Sequence, residues 1–262
     1  MNRIENKFAE LKAAGKKALI TFLTSGDPDI ETTEKAVLEM FDKGADIIEL
    51  GVPFSDPVAE GPVIQEASLR SLNGGTNLDK IFGAVENIRK ATDKPLILMM
   101  YINTVFRYGT AKFFEKCRLK GIDGVIIPDM PYEEKDEVSA QAKANGVLSI
   151  SLVTPVSGDR IKMIAEESEG FLYCVSSTGV TGMRSGFTTD FGEFFGEVYK
   201  YAKVPCCVGF GISGPEQAKK MSSYCDGVII GSAVVKLAAE HGKDFPKYAG
   251  EFVEAVRKAL DS

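Results

Sequence analysis

The sequence predicts an α/β fold, a single (β/α)8 TIM barrel over residues 1–262 with an extra N-terminal helix, and three observations carry that expectation. Short apolar or β-branched runs alternate with amphipathic helical stretches eight times, the pattern of βαβ units around a parallel sheet. Most of those runs are apolar on both parities, as strands covered on both faces must be. The length of 262 residues suits a barrel, which uses about 250 residues as one domain. No Pro/Gly/Ser-rich linker or charge block divides the chain.

The elements follow in order. Met1–Lys17 is charged throughout and amphipathic, which predicts a helix and lacks the apolar core of a signal peptide. Strands are predicted at Ala18–Thr24, Ala45–Gly51, Leu96–Tyr101, Gly124–Ile127, Leu148–Val153, Gly170–Val175, Pro205–Gly209 and Gly227–Gly231. Helices are predicted at Asp29–Lys43, Leu78–Ala91, Val105–Leu119, Glu133–Asn145, Asp159–Glu166, Asp190–Tyr201 and Pro215–Ser223, with a last stretch ending at Leu260. Pro62 suits the first turn of a further helix. Two connections exceed the usual length of about 4–6 residues, Val52–Gly61 and Ser176–Thr189. Both follow strand C-termini, the face where barrel enzymes keep their active sites. A G-x-G-x-x-G turn after the first strand is missing, which weakens a dinucleotide-binding alternative.

Composition narrows the chemistry. A hydrophobic share of 44% with 26% charged residues describes a globular chain with a sizeable core. The 31 Lys and Arg against 37 Asp and Glu leave a net charge of −6, which disfavours nucleic acid or an anionic membrane as partner. No apolar run is long enough to span a bilayer. Five scattered cysteines without a C-x-x-C pair suggest free thiols in a reducing cytoplasm, and neither a disulfide framework nor a metal centre. The one histidine, His241, lies near a helix end and reads as a surface residue, so acid-base work falls to other side chains.

Glu49 stands out. It sits between apolar neighbours in the second predicted strand, on the same face as Ile47, whichever face lines the barrel. An ionised carboxylate buried without a partner costs several kcal/mol, so this residue needs a partner, a proton or a task. Desolvation raises its pKa, which suits proton transfer near neutrality. A lysine partner at the barrel rim would be the structural explanation. The loop that follows carries Pro53, Pro57 and Pro62, the apolar Phe54, Val58 and Ala59, and the acids Asp56 and Glu60. Its apolar residues suit packing against substrate or a partner protein. Glycines cluster at Thr178–Gly182, Gly209–Ser213 and Gly231–Ala233, matching the barrel phosphate site, in which backbone N–H groups and a helix N-terminus hold the anion.

The segments Glu49–Pro57, Gly61–Gln65, Met100–Tyr101, Pro128–Asp129, Thr178–Gly182 and Gly209–Ser213 together resemble the α subunits of tryptophan synthase, and the similarity covers nearly the whole chain. The resemblance implies a lyase of amino-acid biosynthesis that splits indole-3-glycerol phosphate into indole and glyceraldehyde 3-phosphate by a retro-aldol reaction. It implies no cofactor in this chain, and a pyridoxal-phosphate-dependent β subunit as partner in an αββα assembly. By the same resemblance Glu49 is the acid-base, and Glu60 meets the indole N–H. Phe22, Met99, Tyr101, Tyr173, Thr181 and Phe210 would line the substrate pocket. Gly182, Gly211, Gly231 and Ser232 would bind phosphate, and Pro53, Phe54 and Asp56 would face the partner. The family carries aspartate at the second acidic position, where this chain has Glu60. That departure leaves a second expectation, an α-like chain that chiefly binds and activates the β subunit. A third is a sister phosphate-binding barrel isomerase.

Overall fold

A computed structural model of the chain describes residues 2–175, 190–209 and 211–262. Nine parallel strands lie among them: β1 (Ala18–Thr24), β2 (Ile47–Gly51), β3 (Leu96–Met99), β4 (Gly124–Ile126), β5 (Leu148–Ser149), β6 (Leu152–Val153), β7 (Leu172–Val175), β8 (Cys206–Gly209) and β9 (Gly227–Ile230). They pair in the order β5-β4-β3-β2-β1-β9-β8-β7-β6. The two ends of that order are consecutive pieces of one stretch of chain. Between them the Ile150 N–H donates to the Val125 carbonyl and the Tyr173 N–H donates to the Ser151 carbonyl. The sheet therefore returns on itself through residues 148–153, and the fold is the expected TIM barrel. The strand predicted at Leu148–Val153 is corrected to two short segments, because its first half bonds to one neighbour and its second half to the other.

The helices are α1 (Arg3–Ala13), α2 (Ile30–Asp42), α3 (Pro62–Asn73), α4 (Leu78–Arg89), α5 (Ile102–Tyr108), α6 (Thr110–Lys120), α7 (Asp136–Ala144), α8 (Arg160–Glu166), α9 (Phe191–Val198), α10 (Pro215–Ser222), α11 (Ser232–His241) and α12 (Phe245–Leu260). Several start where the local chemistry says they should. Asn2 accepts the Ile4 N–H while Glu5 reaches back to the Asn2 N–H, a capping box opening α1. Asp29 and Asn77 cap α2 and α4 by accepting the Thr32 and Lys80 N–H groups, each contribution being about 1 kcal/mol. The single helix predicted at Val105–Leu119 is corrected to α5 and α6. Gly109, at φ 91°, breaks it in a conformation other residues resist. The stretch predicted at Glu133–Asn145 opens with a 3-10 turn, Tyr132–Glu134, before α7.

Alternation along the strands sorts the core into two layers. Leu19, Ile48, Leu98 and Val228 face the helices, whereas Ile20, Ile47, Ile97, Ile126, Ile150, Cys207 and Ile229 fill the barrel interior. Helix α1 plugs the end from which the strands start: Ile4, Phe8 and Leu11 join the interior cluster, and the Phe8 ring lies 5.6 Å from Phe171. At the same end an aspartate directly precedes each of β2, β4 and β9. Asp46, Asp123 and Asp226 accept the N–H groups of Leu19, Leu96 and Cys206, each at 2.9 Å. These acids tie neighbouring strands together where the sheet ladder begins.

Candidate active site

The opposite end of the barrel holds the site. Because Ile47 points into the interior, Glu49, two residues on, does so as well, one layer nearer the C-terminal mouth. It is fully buried and pairs in register with Phe22 of β1 and Ile97 of β3. Neither carboxylate oxygen has a hydrogen-bond partner among the described residues. The lysine partner considered from sequence is therefore not among them. Burial pushes the Glu49 carboxyl up to about 8, so it carries a proton at neutral pH and can give or take one with little driving force. Tyr173 of β7 shares this surrounding, and burial, with the nearby Glu49, holds its hydroxyl well above the usual tyrosine value.

A narrow cavity of about 40 Å³ gathers Phe22, Glu49, Ala59, Glu60, Ile64, Met99, Tyr173, Gly211, Ile212, Ile229, Gly231 and Ser232. Eight of these are sequence-predicted site residues: Phe22, Glu49, Glu60, Met99, Tyr173, Gly211, Gly231 and Ser232. Strands β1, β2, β3, β7 and β9, with the loops that leave them, thus converge on one chamber. Ala59 also lines a larger cavity of about 630 Å³ that runs along β4 to β6, past Pro128, Tyr132, Ser151 and Arg160. Close approach shapes the chamber wall. A Cβ at Gly51 would come within 2.4 Å of the Phe22 ring, so only glycine leaves that ring where it is. Ala59 was legible only as a loop residue suited to packing against substrate or a partner, and Ile64, Ile212 and Ile229 had no site role in the sequence. For Ile229 alternation with Gly231 was a usable signal; for Ile64 and Ile212 no local signal exists.

Tyr101 lies two residues past β3, at the start of α5, and lines a small adjoining hollow together with Glu60, Phe22 and Met99. Its hydroxyl donates to a Glu60 carboxylate oxygen and accepts the N–H groups of Val58 and Ala59, at 3.0 and 2.9 Å. Burial raises the Glu60 carboxyl, opposed by the Tyr101 hydrogen bond and by backbone N–H groups of residues 59 and 60. At the chamber's other side Gly231 and Ser232 begin α11, whose N-terminus no described side chain caps. Gly211 lies beside them at φ 84°. Backbone N–H groups at such a helix start attract an anion.

Of the residues expected to face a partner, Asp56 is exposed, Phe54 is half-buried with its ring stacked 4.9 Å from Tyr101, and Pro53 is buried. Pro53 therefore packs inside the chain, where the hydrophobic loop folds back on the barrel rim. Phe210 and the whole Thr178–Gly182 glycine cluster, with Thr181 and Gly182, lie outside the described residues. His241 ends α11, with its ring stacked on Tyr248, away from the chamber. Among the described residues no helix is long and apolar enough to cross a membrane.

Comparison with known proteins agrees with this geometry. Residues 8–261 match the family described as tryptophan synthase alpha chain. The tryptophan synthase alpha chain of Thermoanaerobacter pseudethanolicus is 51% identical over 262 residues, covering 99% of this chain and all of that protein. The crystal structure of tryptophan synthase subunit alpha from Legionella pneumophila superposes with a TM-score of 0.89 at 36% identity, over 100% of this chain and 99% of that one. A chain in the tryptophan synthase complex from Pyrococcus furiosus gives a TM-score of 0.84 at 32% identity, over 92% of this chain and 98% of that one. With matching length, fold and sequence from end to end, the chain belongs to the tryptophan synthase alpha chain family.

Proposed function

We propose that this chain, as one TIM-barrel domain, performs the lyase reaction of its family with its own two carboxyl groups, Glu49 and Glu60. That reaction cleaves indole-3-glycerol phosphate into indole and glyceraldehyde 3-phosphate. The bond that breaks joins the indole ring to the first carbon of the glycerol phosphate chain. The ring carbon gains a proton, the hydroxyl on the departing carbon loses one, and that carbon becomes the aldehyde. No water or electron enters, so one group that gives a proton and takes one back suffices. Glu49, protonated at neutral pH, delivers the proton to the ring carbon, and its carboxylate then accepts the proton of the hydroxyl.

Glu60 faces the same chamber and is placed to accept the indole N–H, stabilising positive charge as the ring is protonated. Phe22, Met99 and Tyr173 form the apolar wall for the ring, joined by Ile64 and Ile229. Gly211, Gly231 and Ser232 hold the phosphate through the start of α11, which no described side chain caps, while Gly182 lies outside the described residues. Tyr101 lines the adjoining hollow, and the pocket roles that the family resemblance implies for Thr181 and Phe210 fall outside the described residues. Asp56 and Phe54 form the part of the β2 loop offered to a β subunit, which carries the pyridoxal phosphate in an αββα assembly in the cytoplasm.

The observation that carries this reading is the buried Glu49, without a hydrogen-bond partner among the described residues, in a chamber with a second acid and a helix N-terminus. Incubation with indole-3-glycerol phosphate is expected to release indole and glyceraldehyde 3-phosphate, faster with β subunit present. Absence of indole in both conditions overturns it, in favour of a chain that only activates its partner.

A further inference from the structure

The lyase reading leaves open how a glutamate serves where the family has aspartate. An added methylene lets the carboxylate swing, and a misplacement of about 1 Å can cost roughly a hundredfold in rate. Restraint must come from the surroundings, and it is concentrated on one atom. The Tyr101 oxygen donates its proton to Glu60 and accepts two consecutive backbone N–H groups, from Val58 and Ala59. Those N–H groups belong to the two residues just before Glu60, so the same oxygen holds both the side chain and the backbone that carries it. Tyr101 is itself immobilised: it is 4% exposed, its ring stacks on Phe54, and the next residue's N–H donates to Asp129 at 2.9 Å. On the far side the Gln65 side chain donates to the Glu60 carbonyl at 2.8 Å.

We infer that Tyr101 is a positioning residue for Glu60, a fixed hydroxyl that absorbs the longer reach of glutamate by clamping its carboxylate and its loop together. The inference deepens the lyase reading and rests on it for its kinetic part only. Since the hydroxyl donates to the carboxylate form, it opposes the upward push of burial on Glu60. Asp129 acts on Glu60 in the opposite sense, and Glu49 and Tyr173 are the other ionisable groups lining the chamber. Besides Tyr101, the backbone N–H groups of residues 59 and 60 act on that carboxylate in the same sense as the hydroxyl.

The test is Tyr101→Phe, which removes one oxygen and keeps the ring stacked on Phe54. Carbon-13 titration of the Glu60 carboxyl, identified by its loss in Glu60→Gln, is expected to show a midpoint higher by about 0.7 pH unit. In the lyase assay kcat is expected to fall roughly tenfold, with its acid limb moved to higher pH and KM within about twofold. An unmoved midpoint overturns the inference, whatever happens to turnover. A second arm leaves Tyr101 intact: its hydroxyl proton is expected to exchange slowly with solvent and to exchange faster in Glu60→Ala. Equal exchange in the two proteins overturns the clamp as well. Should the unmodified chain release no indole, the lyase reading fails while both spectroscopic arms still decide the role of Tyr101.

Discussion

The acids beneath the strand starts and the acid inside the mouth are held in opposite ways, although Asp27, just past β1 at the mouth, is paired with Arg70 at 2.8 Å. At the end plugged by α1, Asp123 is 3% exposed but accepts the Leu96 N–H and meets Arg3 and Arg89 at 3.0 and 2.7 Å. Asp46 accepts the Leu19 N–H and meets Arg257 at 3.2 Å. At the mouth, Glu49 is as deeply buried and has no partner among the described residues. Burial pushes all three carboxyls upward, yet only at the plugged end do N–H groups and arginines push back. A carboxylate that is paired holds strands together; one left unpaired keeps its proton and is ready to lose it.

Four substitutions would break or sharpen that contrast. Glu49→Gln is expected to abolish indole formation by 1,000-fold or more, because the exchangeable proton is gone and little else changes. The same change should stabilise the fold. With the folded carboxyl at about 8 and an ordinary value of 4.5, the folded chain binds more protons than the unfolded one between those limits. Stability is therefore greatest below pH 4.5, falls as pH rises, and is lost through pH 8. At pH 7 the deficit is about 3 kcal/mol. Urea unfolding of both proteins across that range checks it; parallel curves would contradict the unpaired state of Glu49.

Asp123→Ala should do the reverse, costing about 3–5 kcal/mol by stranding Arg89 and the Leu96 N–H, with kcat per folded molecule unchanged. Next comes Gly51→Ala. Its Cβ would meet the Phe22 ring at 2.4 Å, costing about 1–3 kcal/mol and raising KM by moving the chamber wall. The smallest effect is expected for Asp29→Ala at the start of α2, about 1 kcal/mol in thermal or urea unfolding with no effect on turnover. A catalytic loss there equal to that of Glu49→Gln would show that the mouth is sensitive to any disturbance and would remove the distinction between the two ends.

Much of the barrel was legible in the sequence because strands covered on both faces and helices with one apolar face have different periods. Helix starts were legible where a cap side chain or a proline in the first turn marks them, as at Asp29 and Pro62. The break at Gly109 and the division of residues 148–153 were not, since the first depends on one backbone angle and the second on which neighbour each half meets. Glu49 was legible through its expense: an acid inside an apolar strand invites explanation in any fold. Glu60 was not distinguishable from a solvated loop acid by its own neighbours.

The sequence by itself determined the alternation of elements, the acid at position 49 and the glycine-rich turns. All of these are short-range properties, expressed within one element or one turn. Only the tertiary structure decided which strand face lines the interior, that Glu49 has no described partner, and that Pro53 packs inward. It alone also brought Tyr101 to Glu60 and placed Ile64, Ile212 and Ile229 around the chamber. These contacts join residues tens to more than a hundred and fifty positions apart, and they exist only once the sheet has closed and its strand ends share one mouth.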